Sequence, residues 1–431
     1  MWELVVAGEG REQKKLASMR SRAAETGAEI QRSVAAIMED VRRRGYQAVE
    51  EYSVKFDGNP PREVTMEELE QAAQRIPAQL LGALRRSAEH IRAYQQELLS
   101  EVQMGLRLWD SPSGGKVGRV VRPLHRVGVY VPGGRAAYPS SVLMNVIPAK
   151  VAGVDEVVMV TPPTENLSDV VLAAAWVAGV DRCIAVGGAQ AVAALTYGAG
   201  FIPQVDKLVG PGNAFVAEAK RMAYGNLDID MVAGPSEVLV IADRTANPCH
   251  VAADLLSQAE HDPLASAVLL TDSMELAQGV QGEIQRQLGY LSRREIMEQS
   301  LENFGCAIVC PDLETCARLA DQVAPEHMEI VTADPRQVME MVHNAGAIFL
   351  GGNTPEPLGD YMAGPDHVLP TSGTARFFSP LSVDSFLKKT SVLEYRREDL
   401  EQVKEEIITL AQAEHLTAHA NSIQVRFAKE D

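Results

Sequence analysis

Aromatic residues are scarce in this 431-residue chain, at 5%, and cysteine is scarcer still. Cys183, Cys249, Cys306, Cys310 and Cys316 form neither an even framework nor a C-x-x-C pair. That excludes a disulfide scaffold and points to a reducing, cytoplasmic setting. No run of 18 apolar residues occurs, so no membrane span is expected. Met1-Trp2-Glu3-Leu4 lacks the basic flank and apolar core of a signal peptide. Positive charge is also in short supply. Forty Lys and Arg against 58 Asp and Glu leave a net charge of −18, which repels nucleic acid. A complete G-x-G-x-x-G fingerprint is missing, and no acidic residue stands at the offset where a ribose partner is expected.

What remains is the composition of a soluble α/β protein, 46% hydrophobic and 23% charged, and long enough for more than one core. Residues 10 to 55 read as helix: Ile30, Val34, Ile37, Met38 and Val41 recur at helical spacing, and Phe56-Asp57-Gly58-Asn59-Pro60-Pro61 ends the run. Two more helices are expected near 66–76 and 78–104. From about 117 short apolar strands begin, and from 128 to 240 and again from 235 to 350 strands alternate with helices. Such alternation predicts parallel sheets covered on both faces. Three glycine turns, at Pro132-Gly133-Gly134-Arg135, Gly187-Gly188-Ala189-Gln190 and Gly210-Pro211-Gly212-Asn213, follow strands and open helices. There a backbone can approach a phosphate, although ordinary tight turns have the same look.

Histidine carries the candidate chemistry. His261, His327, His367 and His419 sit among carboxylates, amides or turns, whereas His90, His125, His250 and His343 do not. Gln258 and His261, three apart at the end of an apolar helical run, share one helical face. With Asp360 and His419 they would make an oxygen and nitrogen metal set, or else ordinary polar surface. Glu326-His327, at the start of a strand, offers two proton-transfer groups, or a charged turn. The segment 351–380 is rich in glycine and proline and contains Asp360, Tyr361 and His367. Irregular stretches of that length inside a compact protein are usually functional or disordered.

Nine motifs in order, from Tyr130-Val131-Pro132-Gly133-Gly134 through Gly187–Ala191, Gly210–Asn213, Ala233–Glu237, Leu256–His261, Ala324–His327, Gly359–Tyr361 and His367–Thr371 to Leu416-Thr417-Ala418-His419, resemble those of the histidinol dehydrogenase family over nearly the whole chain. The resemblance implies two NAD-dependent oxidations of L-histidinol to L-histidine through a bound aldehyde. It implies one zinc ion per subunit on Gln258, His261, Asp360 and His419, with Glu326 and His327 as the acid–base pair. Ser236, His367 and Glu414 join these as substrate contacts, and Tyr130, Gln190 and Asn213 as NAD contacts. It also implies a homodimer whose tail completes the partner's site. A related dehydrogenase acting on another small alcohol, such as a sulfonated diol, is the alternative. Asp366 stands where asparagine is expected, and is read as added negative charge near the site.

The fold expected is two incomplete Rossmann-like parallel-sheet domains with helical extensions. A helical arm would cover 1–25. Residues 26–128 with 235–380 would form the domain holding the metal and acid–base residues, 129–234 the NAD domain, and 381–431 a helical, dimer-crossing tail.

Overall fold

The computed structural model describes residues 2–21 (side chains to 17), 27–133, 138–164 and 167–428. Two units emerge, and the larger, residues 1–99 and 124–386, contains two six-stranded sheets. The first sheet runs Glu3–Val6, Gly305–Val309, Ser266–Thr271, Glu237–Ala242, His327–Val331 and Ala347–Leu350, and every pairing is parallel. The second runs Arg62–Val64, Arg182–Ala185, Glu156–Thr161, Arg126–Tyr130, Lys207–Val209 and Asp228–Ile229, parallel except for its first strand.

The central strands of both sheets are continuous apolar runs, as parallel strands buried on two faces must be. Glu237–Ala242 and Ser266–Thr271 are buried at every position. On one face of the first sheet, helices Pro248–Ala259, Met274–Leu288 and Arg294–Phe304 contribute Leu255, Val280 and Leu301 to one core; on the other, Leu16 and Leu319 from Arg11–Ser21 and Leu313–Val323 close a second. Each such leucine or valine contributes roughly 1.5–3 kcal/mol by leaving water. Among the described residues no helix is long and apolar enough to cross a membrane.

The expected division of the chain is corrected at three places. Residues 28–57 do not group with 235–380. Val34, Ile37, Met38 and Val49 of helices Ala28–Arg44 and Tyr46–Asp57 pack with Leu195 and Val216 on the second sheet, and Arg62–Val64 pairs with Arg182–Ala185 at its edge. The arm 1–25 is not wholly helical. Glu3–Val6 is a strand paired with Cys306–Val309, ahead of helix Arg11–Ser21, and residues 22–25 lie outside those described.

The third correction concerns the tail, which opens on the strand Leu387–Glu394. That strand belongs to the smaller unit, residues 100–123 and 387–431, where it pairs antiparallel with Lys116–Pro123, itself paired with Gly105–Asp110. In this unit the Tyr395 hydroxyl bonds Ser111 at 2.8 Å and Ser113 at 2.5 Å. Helices Lys404–Ala413 and Thr417–Gln424 follow.

Candidate functional site

The chemistry gathers at the amino-terminal edge of the first sheet. Strands Glu237–Ala242 and His327–Val331 start side by side, with Val238 paired to His327. Their first residues therefore present side chains and free backbone groups at one rim. The Glu237 amide donates to Glu326 Oε2 at 2.9 Å, and the Glu326 amide faces Glu237 Oε2 at 3.4 Å. His327 Nδ1 lies 3.1 Å from the Glu237 carbonyl, which can only accept, so Nδ1 carries the proton. Nε2 is then the basic nitrogen, and it is buried with no hydrogen-bond partner in the protein. Burial pushes the imidazole down to about 4, against the pull of Asp360. Glu326 moves the other way: burial holds its carboxyl well above the ordinary range, and Glu237, Asp360 and Glu356 add to the effect. Backbone space is tight here. A Cβ on Gly346 would sit 2.5 Å from the Glu326 carbonyl, so only glycine lets the neighbouring chain accept the Ala347 N–H bond at 2.9 Å.

Helix Pro248–Ala259 leads back to this rim. It begins under an Asn247 side-chain cap with proline in its first turn, and Glu260 is its C-cap. Gln258 and His261 therefore do not share one helical face, as expected from spacing. Gln258 is in the last turn, and His261 follows the helix in a tight turn, its amide donating to the Gln258 carbonyl at 3.2 Å. Gln258 is buried and its Oε1 has no partner, an orphaned oxygen of the kind a cation satisfies. His261, Glu356 and Asp360 each offer a ligand atom, all within 4.8 Å of one another. A set of carbonyl oxygen, imidazole and carboxylates without thiolate suits a divalent ion such as zinc.

Glu356 was not foreseen. It stands four residues before Asp360 on helix Glu356–Tyr361, the same spacing logic that singled out Gln258. Its carboxyl is pushed up to about 9 by burial and by Asp360. Ser257 Oγ lies 3.4 Å from it, and its amide donates to Glu329 Oε1 at 2.8 Å. Glu237 is the other omission: it lies inside a motif noticed in the sequence, but its carbonyl and carboxylate roles show only in three dimensions.

His367 is half-buried, and burial lowers its basicity while Asp360 opposes the shift. Ser236 immediately precedes Glu237. Asp366 is corrected. It is buried, Oδ1 accepts from the Val368 amide at 2.8 Å and Oδ2 has no partner; burial, then Asp230, push its carboxyl well up, favouring the neutral acid over added negative charge. Glu414 and His419 belong to the smaller unit. There they are exposed, Glu414 capping helix Lys404–Ala413 and His419 lying on Thr417–Gln424.

A second concave feature, about 910 Å³, lies at the carboxyl edge of the second sheet. Tyr130, Asp57, Gln190, Asn213, Phe56 and Phe215 line it with others. The three expected NAD contacts thus share one cavity. Tyr130 is buried, which raises its phenol to about 12, and its oxygen accepts the Gly188 amide at 3.0 Å. Gly187 and Asn213 cap helices Gly188–Tyr197 and Ala214–Ala223, and the Asn213 side chain accepts the Phe215 and Val216 amides. The turn Gly133-Gly134-Arg135 is described only through Gly133, which lines the same cavity.

A buried carboxylate–imidazole pair, a metal-fit cluster beside it and a large cleft at helix N-termini define an α/β enzyme of the dehydrogenase kind. The comparisons narrow that class. The histidinol dehydrogenase family profile matches residues 20–427. A histidinol dehydrogenase of Heliobacterium mobile is 52% identical, covering 93% of this chain and 95% of its own. One from Clostridium acetobutylicum is 50% identical, covering 96% of each. The crystal structure of histidinol dehydrogenase from Elizabethkingia anophelis superposes with a TM-score of 0.91 at 33% identity, over 99% of this chain and 98% of that one. The chain belongs to the histidinol dehydrogenase family.

Proposed function

We propose that this protein oxidises L-histidinol to L-histidine in two NAD-linked steps through a bound aldehyde, as a biosynthetic enzyme of the cytoplasm. The observation that carries the reading is His327: its Nδ1 proton is fixed on the Glu237 carbonyl, and its unpartnered Nε2 stands among Glu326, Asp360 and His261. Nε2 takes the alcohol proton while the hydride leaves. Glu326, its carboxyl raised toward neutrality, exchanges protons with the water that hydrates the aldehyde before the second oxidation. Gln258, His261 and Asp360, with His419, are the proposed zinc ligands, and Ser236, His367 and Glu414 the remaining substrate contacts. Bound there, the ion would hold the amine and imidazole nitrogens of the substrate so that the reacting carbon stays fixed through both steps. Tyr130, Gln190 and Asn213 would hold NAD, which accepts the hydride each time.

We propose further that two copies share their sites. The smaller unit leaves Leu393, Leu410 and Val425 more than half exposed, apolar surface that a second copy would cover. The reading of a different small alcohol, such as a sulfonated diol, is not favoured, because relatives at about 50% identity are histidinol dehydrogenases. The test is NADH release from L-histidinol: two equivalents per substrate are expected, and no turnover with histidinol but turnover with another diol would overturn the assignment. Mixing inactive His419→Ala and His261→Ala subunits should restore part of the activity; verified mixed dimers with none would refute shared sites.

A further inference from the structure

The cavity at the second sheet has an acidic residue that its turns lack. Asp57 ends helix Tyr46–Asp57, 73 residues before Tyr130 in sequence, yet lines the same cavity as Tyr130, Gln190 and Asn213. Gly58, in the left-handed region at φ 77°, terminates the helix right after it. Asp57 Oδ2 accepts the Gln190 side-chain amide at 3.2 Å. Oδ1 has no partner among the described residues and is free to accept a second bond. Around it the wall is aromatic: Tyr52 and Phe56 stack at 5.8 Å, and Phe56 and Phe215 stay 54% and 41% exposed, flat surfaces of the kind an adenine covers. Lys55 lies against the Phe56 ring, with Nζ 5.1 Å from its centroid, and is exposed.

We propose that Asp57 selects the dinucleotide, accepting a hydrogen bond from a free adenosine-ribose hydroxyl and repelling a 2′-phosphate; this rests on the reading of the cavity as the NAD site. In dinucleotide folds an acidic residue on the ribose performs this selection from the end of the second strand. Here the first helical segment supplies it from outside the sheet, and Gln190, itself buried, holds the carboxylate in place. A phosphate set about 5 Å from the carboxylate, at an effective dielectric of about 20, meets a repulsion that screening reduces to roughly a tenfold loss of affinity or more.

The experiment is equilibrium binding of NAD and NADP, followed by quenching of protein fluorescence, on the whole protein and on Asp57→Asn and Asp57→Ser. The unaltered protein should bind NAD at least about tenfold more tightly than NADP, and both variants should narrow that ratio by about tenfold, mainly by gaining affinity for NADP. Absence of NAD binding by the unaltered protein would remove the cavity's reading and the proposal with it. NAD binding with equal affinity for NADP would overturn the proposal alone, even if both variants fail to fold. So would folded variants that keep the unaltered ratio.

Discussion

Replacing Lys220 with methionine should separate the dinucleotide cavity from the metal cluster. Lys220 and Asp230 form an ion pair whose side chains are 3% and 2% exposed. The pair clamps the third glycine turn: Lys220 Nζ donates to the Gly210 carbonyl at 2.7 Å, and Asp230 Oδ2 accepts the Gly210 amide at 2.8 Å. That turn has no slack, because Gly210 sits at φ 106° and a Cβ there would lie 2.2 Å from the Tyr130 carbonyl. Lys220→Met keeps the bulk of the side chain but leaves a buried carboxylate with only backbone amides. Losing one partner of a buried pair costs about 3–5 kcal/mol.

Spread over the unfolding entropy of 431 residues, that corresponds to roughly a 5 °C fall in melting temperature. Denaturant unfolding and calorimetry measure it, alongside NAD and metal titrations. NAD affinity should drop about tenfold through the loosened turn, with metal affinity unchanged. Lys220→Met with Asp230→Leu removes both charges and should recover most of the stability. A single-variant cost below about 1 kcal/mol, or simple additivity in the double variant, would refute the clamp.

Other outcomes follow from the first site. His327→Ala and Glu326→Gln should fold and keep their metal while losing about a hundredfold to ten-thousandfold in turnover; metal loss, or turnover near normal, would remove them from the acid–base role. Glu356→Gln should weaken divalent-ion affinity about 10- to 100-fold in a chelator competition, and an unchanged affinity would exclude Glu356 from the metal set. His327 should stay neutral from pH 8 to 5 when followed by ¹⁵N-histidine NMR, because burial holds it near 4; titration at about 6.5 would contradict its burial. The sign for stability follows. Between 6.5 and 4 the unfolded chain binds this proton and the folded one does not, so this residue's contribution weakens as pH falls through that window.

The strongest elements were legible because their patterns are local. Glu237–Ala242 announces itself as six residues with an apolar run, and helix Pro248–Ala259 by its cap, its proline and its apolar spacing. Glu3–Val6 and Arg62–Val64 were not legible. They are short, carry charge, and become strands only by pairing with Cys306–Val309 and with Cys183–Ala185, partners no local pattern names. The candidate site divides in the same way. Gln258, His261, Glu326, His327 and Asp360 stood out by residue type, spacing or resemblance. Glu237 acts through a backbone carbonyl, which every residue has. Asp57 reads as part of a helix-breaking string, and only packing of the first helices on the second sheet brings it to Gln190.

The two sheets are used at opposite ends, and this explains why the irregular segment after Gly351 is needed. The cleft at Tyr130 opens at the carboxyl ends of the second sheet's strands, where helix N-termini point. Glu326 and His327 stand at the amino ends of the first sheet's strands, where helix C-termini return instead. That edge supplies few backbone donors for an anion, but it accepts carboxylates and imidazoles suited to a cation. The chain passes from one sheet to the other through Met231–Ser236. Thr371 Oγ1 accepts the Gly234 amide at 2.7 Å, and the Ser372 amide lies 3.3 Å from Glu237 Oε1. A Cβ at Gly234 would meet Ser372 Oγ at 2.2 Å, so the loop lies directly on the crossing. The glycine- and proline-rich stretch thus carries Asp360 and His367 and also fixes the crossing next to Glu237, tying the register of the acid–base pair to the strand that leads out of the dinucleotide sheet.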